Sequence, residues 1–173
     1  MTLLFHLRFS GALLIFLGVA HAFFDRRLNW RRDTRKLTLA NRQIFAMHWF
    51  YLALLLIMLG LLFTALAPEL LRPEPLTQAI FLATTIVWAI RLFAQWFVFD
   101  AELWRRDGFN RAIHYLLTAI WIYLLAVNAF ALVRVFAKSR AASASQAAAL
   151  PGNPPREFPP APLVSPAPRP LPS

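Results

Sequence analysis

The chain contains no cysteine. Disulfides, thiolate metal sites and covalent thioether attachment of haem are therefore excluded. Acid is scarce as well, with eight Asp and Glu against eighteen Lys and Arg. Asp25 and Asp100 reach only the edges of the apolar runs, so the carboxylate ligands of a di-iron site are missing. Charged residues of both signs make up only 15% of the 173 residues. There is no phosphate-cradling glycine loop, no His-Glu-His zinc signature and no serine in a recognisable nucleophile setting.

What the chain does have is apolar length. It is 59% hydrophobic, with a mean hydropathy of +0.53. A soluble domain of this size has too little interior to hide that much apolar surface. Lipid is the alternative solvent, and hydrocarbon selects helices, because backbone polar groups must be satisfied within the segment. The net charge of +10 raises the possibility of nucleic acid. However, the basic residues sit between the apolar runs, where membrane topology accounts for them. The expected partner is the lipid bilayer, and nucleic acid is not.

Four runs are long enough to cross it, since a spanning helix needs ~20 apolar residues. They cover about 3–24, 43–66, 76–99 and 112–133. The predicted fold is an all-α, polytopic four-helix transmembrane bundle over residues 1–140. Ala20-His21-Ala22 has the form of a signal-peptide cleavage site, but the strongly basic block that follows resists translocation, so the first run is read as a retained span. Asn41 is the candidate helix cap ahead of the second span, and Pro68, Pro73 and Pro75 mark a short turn after it. Residues 141–173 are Ala/Ser-rich and then proline-rich, with ten prolines from Pro151 onward, and are expected to be a disordered tail.

Charge sets the expected orientation. Arg26, Arg27, Arg31, Arg32, Arg35, Lys36 and Arg42 lie between the first two spans, and Arg105, Arg106 and Arg111 between the last two. The positive-inside rule places both loops in the cytoplasm of a bacterial-type inner membrane, with both termini on the outer side. Arg134, Lys138 and Arg140 count against that arrangement without outweighing it.

The chemistry-bearing residues cluster by depth. Arg91 is the one charge in the third span, and an arginine there costs roughly 2.5–3.5 kcal/mol on insertion scales, so it should face the protein interior and have a partner. Thr84, Trp88, Arg91 and Gln95 recur at spacings of three and four, which gives one polar helix face. His114, Thr118, Trp121, Leu125 and Asn128 form a similar stripe on the fourth span. His21 aligns with Gly18, Leu14 and Ser10 on the first, where Gly11 and Gly18 permit a close helix approach. His48 shares a side with Tyr51 on the second. At ~1.5 Å rise per residue, His21, His48, His114 and Gln95 all fall within about one turn of a single level near the cytoplasmic face. His6 lies at the opposite end.

Three chemistries suit such a layer. The first is haem b, ligated by two of His21, His48 and His114, with Arg91 on the propionates and an aromatic slot from Trp49, Phe50, Trp88, Trp96 and Trp121. The second is a quinone or proton-handling site, in which histidine titrates near neutral pH and arginine anchors a carbonyl or carboxylate. The third is a metal held by His21, His48 and His114 as three imidazoles. The functional expectation is a small b-type haem-binding or quinone-interacting electron-transfer subunit, partnered by other membrane redox subunits or by a second copy in a homodimer. The alternative is a non-catalytic membrane subunit or assembly factor whose polar layer is structural.

Overall fold

The structure is a computed structural model that describes residues 2–28, 32, 34–99 and 108–149. Its helices are α1 (Leu3–Leu28), α2 (Leu39–Ala65), the one-turn α3 (Ala67–Leu70), α4 (Pro75–Phe97) and α5 (Gly108–Ala149), with a 3₁₀ turn at Thr34–Lys36 and no strand among the described residues. Four of them, α1, α2, α4 and α5, are long and apolar enough to cross a membrane. The protein is an all-α, multi-pass membrane bundle. We call the end bearing the loops after α1 and after α4 the basic end, and the end bearing α3 the turn end.

Local chemistry sets the helix limits. Thr38 caps α2 by accepting the Asn41 N–H on its hydroxyl at 3.4 Å. This corrects the expectation that Asn41 is the cap: its own N–H is one of the orphan donors of the first turn, and Thr38 satisfies it. Pro68 sits in the first turn of α3 and Pro75 opens α4, positions where a missing N–H is harmless. The fourth span runs on well beyond Val133. Residues 141–149, read from sequence as the start of a disordered tail, continue α5 as helix. Alanine is the best helix former, Ser143 returns its hydroxyl to the Ser139 carbonyl at 3.1 Å, and no proline intervenes before Pro151. The disorder expected for residues 151–173 concerns a segment outside the described residues.

Packing is strongest within two antiparallel hairpins, α1 on α2 and α4 on α5, which meet mainly through α1 and α5. Lipid is as apolar as leucine, so helix association in a membrane depends on close van der Waals contact and on buried polar pairs. The first hairpin uses close contact. A Cβ added to Gly60 would stand 2.6 Å from the Gly11 carbonyl oxygen, and one added to Gly18 would stand 2.8 Å from that of Ala53, so backbones touch where only hydrogen fits. The second hairpin uses polar pairs, set out in the next section.

Among the described residues, the two hairpins pack against each other most closely toward the turn end. Leu7, Phe63, Ala67, Leu70, Phe81, Ala131 and Val135 form the sealed part of the core. The contacts that join the hairpins lie toward this end: Phe63 against Phe81 with ring centroids at 6.2 Å, and Tyr123 against Phe9 at 5.7 Å. In α2 the buried residues are Leu56, Gly60 and Phe63, all in its second half. Its first half, from Leu39 to Leu52, is exposed apart from a half-buried Trp49.

Candidate functional site

The polar stripe of α4 meets the polar stripe of α5 rung by rung. Thr84 donates to Asn128 Oδ1 at 2.7 Å, and Asn128 Nδ2 in turn donates to the Leu124 carbonyl at 2.8 Å. One turn toward the basic end, the Trp88 and Trp121 rings stack with centroids 5.8 Å apart and planes 13° from parallel. Next, the Arg91 guanidinium lies over the Trp121 ring at 4.7 Å and over Phe99 at 5.4 Å. Arg91 donates to Gln95 Oε1 at 3.1 Å, and Gln95 Nε2 lies 2.9 Å from His114 Nδ1. Gln95, at the centre of the row, is 1% exposed, whereas Arg91 and His114 on either side are half-buried. The register follows from sequence spacing: stripes at three- and four-residue intervals on two antiparallel helices present one group per turn to each other.

Hydrogen-bond logic fixes the orientation of the row. A guanidinium only donates, so Gln95 presents its oxygen to Arg91 and turns its amide nitrogen to His114. His114 Nδ1 therefore accepts, and the proton of the neutral ring is on Nε2. The lone pair of that imidazole is already engaged. Among the described residues Arg91 has no carboxylate partner. The ion pair found there, Arg72 with Glu69 at 3.4 Å, lies on the exposed turn end. The charge of Arg91 is spread over an amide oxygen and two aromatic faces instead.

Of the five residues put forward from sequence, Arg91, Gln95 and His114 are brought together, whereas His21 and His48 are not part of the row. The half-buried His21 donates from Nδ1 to the Leu17 carbonyl at 2.8 Å, and its ring lies 4.4 Å from that of Trp49. Trp49 in turn donates to the His21 carbonyl at 3.1 Å. His48 is exposed and donates from Nδ1 to the Ile44 carbonyl of its own helix at 2.9 Å. It lines an open groove of about 700 Å³ along the exposed half of α2, together with Met47, Tyr51 and Leu55. Successive residues of a helix point about 100° apart, and Trp49 is the one turned toward α1. No three His, Asp or Glu side chains among the described residues group as a metal set. The expected three-imidazole layer of His21, His48 and His114 therefore does not form as a cluster: each ring is committed to a neighbour on its own hairpin.

Two features escaped the sequence reading. His6, set aside as lying at the far end, places Nδ1 3.1 Å from the Tyr123 hydroxyl and so links the two hairpins. Trp88 and Trp121, read as members of the two stripes and as slot lining, stand next to Arg91 with buried indole nitrogens, which that reading did not single out. Their places in the two stripes were the available signal. Comparison with protein-family models, with curated proteins and with solved structures gives no match to this chain.

Proposed function

We propose that this protein is a small membrane subunit of a quinone-linked electron-transfer system, and that Arg91, Gln95 and His114 receive the polar head of a membrane-dissolved quinone. The observation that carries this reading is the bonded Arg91–Gln95–His114 row, centred on the buried Gln95 in an apolar, aromatic setting. Arg91 has donor capacity beyond its one bond to Gln95, and a ring carbonyl can take it up without carrying charge into hydrocarbon. Trp96 lies edge-on to His114 at 5.6 Å, and with Trp121 and Phe99 it supplies apolar walls for a planar ring.

Haem b has less support than quinone. A b-type haem takes two imidazole lone pairs from opposite sides of one iron. His114 spends its lone pair on Gln95, His21 lies tilted against the Trp49 ring and His48 faces outward. These commitments favour quinone over haem. The proposed setting is a bacterial-type inner membrane with the basic loops on the cytoplasmic side, supported by the Lys/Arg balance. Reporter fusions at the two termini read that orientation.

The deciding experiment is saturable binding of decylubiquinone to the full chain in lipid nanodiscs, with Gln95→Leu as the disabled control. Binding to wild type that weakens at least about fivefold in the control supports the reading. Partition indistinguishable from protein-free discs refutes it, and a Soret band in the purified protein restores haem. One observation favours a second reading, a non-catalytic subunit or assembly factor: the first half of α2 leaves a long face uncovered by the bundle. Cross-linking from Met47 or Tyr51 to another membrane protein in native membranes supports that role, and adducts to lipid alone argue against it.

A further inference from the structure

Beside the bonded row are three groups that the quinone reading leaves unused. Trp88 and Trp121 are 3% and 5% exposed, and the Nε1 of each is buried with no hydrogen-bond acceptor among the described residues. The Thr118 hydroxyl, one turn before Trp121 on the same stripe of α5, is buried in the same condition. A buried donor without an acceptor is destabilising, and hydrocarbon offers no substitute. Two indole N–H donors and a hydroxyl, beside an arginine with no carboxylate partner among the described residues, describe a site that lacks acceptors.

The kind of acceptor follows from depth and from the donor set. Trp88 lies nine residues before Phe97, the last residue of α4, or ~13 Å from the basic end at ~1.5 Å per residue. A phosphate at that level would carry its charge far below the headgroups, whereas a carbonyl carries none. Guanidinium and indole groups donate and never accept. The side-chain acceptors of the row, Gln95 Oε1 and His114 Nδ1, are taken by Arg91 and by Gln95. The ring carbonyls of a quinone meet such donors with acceptors only. The hydroxyl oxygens of the corresponding quinol can also accept, but each carries a hydrogen that needs an acceptor of its own, and those of the row are taken.

Resting on the quinone reading above, we infer that Trp88, Trp121 and Thr118 complete the site with Arg91 as a donor cradle that selects the oxidised ring over the reduced one.

The test uses the full chain in lipid nanodiscs, equilibrated anaerobically with decylubiquinone or with its chemically reduced quinol, and then washed and extracted to quantify the bound ring. Wild type binds the quinone at least about fivefold more tightly than the quinol. Trp88→Phe and Trp121→Phe keep an aromatic ring and remove one N–H, and each lowers quinone affinity about three- to tenfold and quinol affinity by less, so the preference for the quinone narrows. Thr118→Val, which swaps a hydroxyl for a methyl, is the second probe if a tryptophan variant loses its helical circular dichroism. Equal wild-type affinity for both forms overturns the inference and leaves the quinone reading standing. So do Phe and Val variants that bind quinone as wild type does. No saturable binding of either form overturns both.

Discussion

Replacing Gln95 with leucine removes the centre of the polar row at nearly constant volume. The side chain is 1% exposed and is bonded on both sides, to Arg91 at 3.1 Å and to His114 at 2.9 Å. The bond to His114 crosses to α5, and hydrogen bonds between membrane helices average about 0.6 kcal/mol and reach about 1.7 kcal/mol. The bond to Arg91 lies within α4, and its loss leaves the guanidinium without that acceptor, so the total cost is about 1–3 kcal/mol. Leucine regains little of this through burial, because the lipid it leaves is as apolar as the interior it enters. At 1.4 kcal/mol per factor of ten, the folded population relative to the unfolded one falls by roughly 5- to 150-fold. Reversible unfolding in mixed micelles of a mild detergent and dodecyl sulfate, followed by far-ultraviolet circular dichroism, reads this as an earlier midpoint. A Gln95→Leu protein that unfolds at the wild-type dodecyl sulfate fraction refutes the claim that the row binds α4 to α5. Gln95→Glu is the informative partner. It offers Arg91 a counter-ion inside the same space, so it should unfold no earlier than wild type while competing with a quinone carbonyl for the guanidinium.

Other substitutions follow from the same contacts. Gly60→Ala places a methyl 2.6 Å from the Gly11 carbonyl oxygen, both rigid backbone positions, and should cost about 1–3 kcal/mol in the same unfolding assay by forcing α1 off α2. Thr84→Val leaves the fully buried Asn128 Oδ1 without its 2.7 Å donor and should cost about 1–3 kcal/mol, with little change in quinone affinity. His48→Leu, at an exposed site bonded only to its own helix, should stay within about 0.5 kcal/mol of wild type and bind quinone normally.

The composition of α4 and α5 made their partnership readable in advance. Polar residues that recur at helical spacing in an apolar span have one low-cost destination, another such stripe. Thr84 with Asn128, Trp88 with Trp121 and Gln95 with His114 meet as that spacing implies. Gly11 and Gly18 signalled the close approach of α1 to α2 for a similar reason. The lateral arrangement was not readable. Equal depth along the membrane normal says which residues share a level, but not which way each helix is rotated. The layer assigned to His21, His48 and His114 assumed that all three rings faced a common axis. In α2 the indole of Trp49 took the place toward α1 and turned its neighbour His48 outward. The end of α5 was missed because loss of hydrophobicity after Arg140 was read as loss of structure, whereas alanine sustains a helix without any apolar partner.

That last helix has a geometric consequence. At ~1.5 Å per residue the 42 residues of α5 measure ~63 Å, about twice the thickness of a hydrocarbon layer. A tilt of about 20° shortens its vertical reach by only a few ångströms. The helix therefore stands out of the bilayer like a mast, and its far tip is held roughly 20 Å clear of the lipid surface. Shortening it turn by turn would lower that tip by ~5.4 Å at each step.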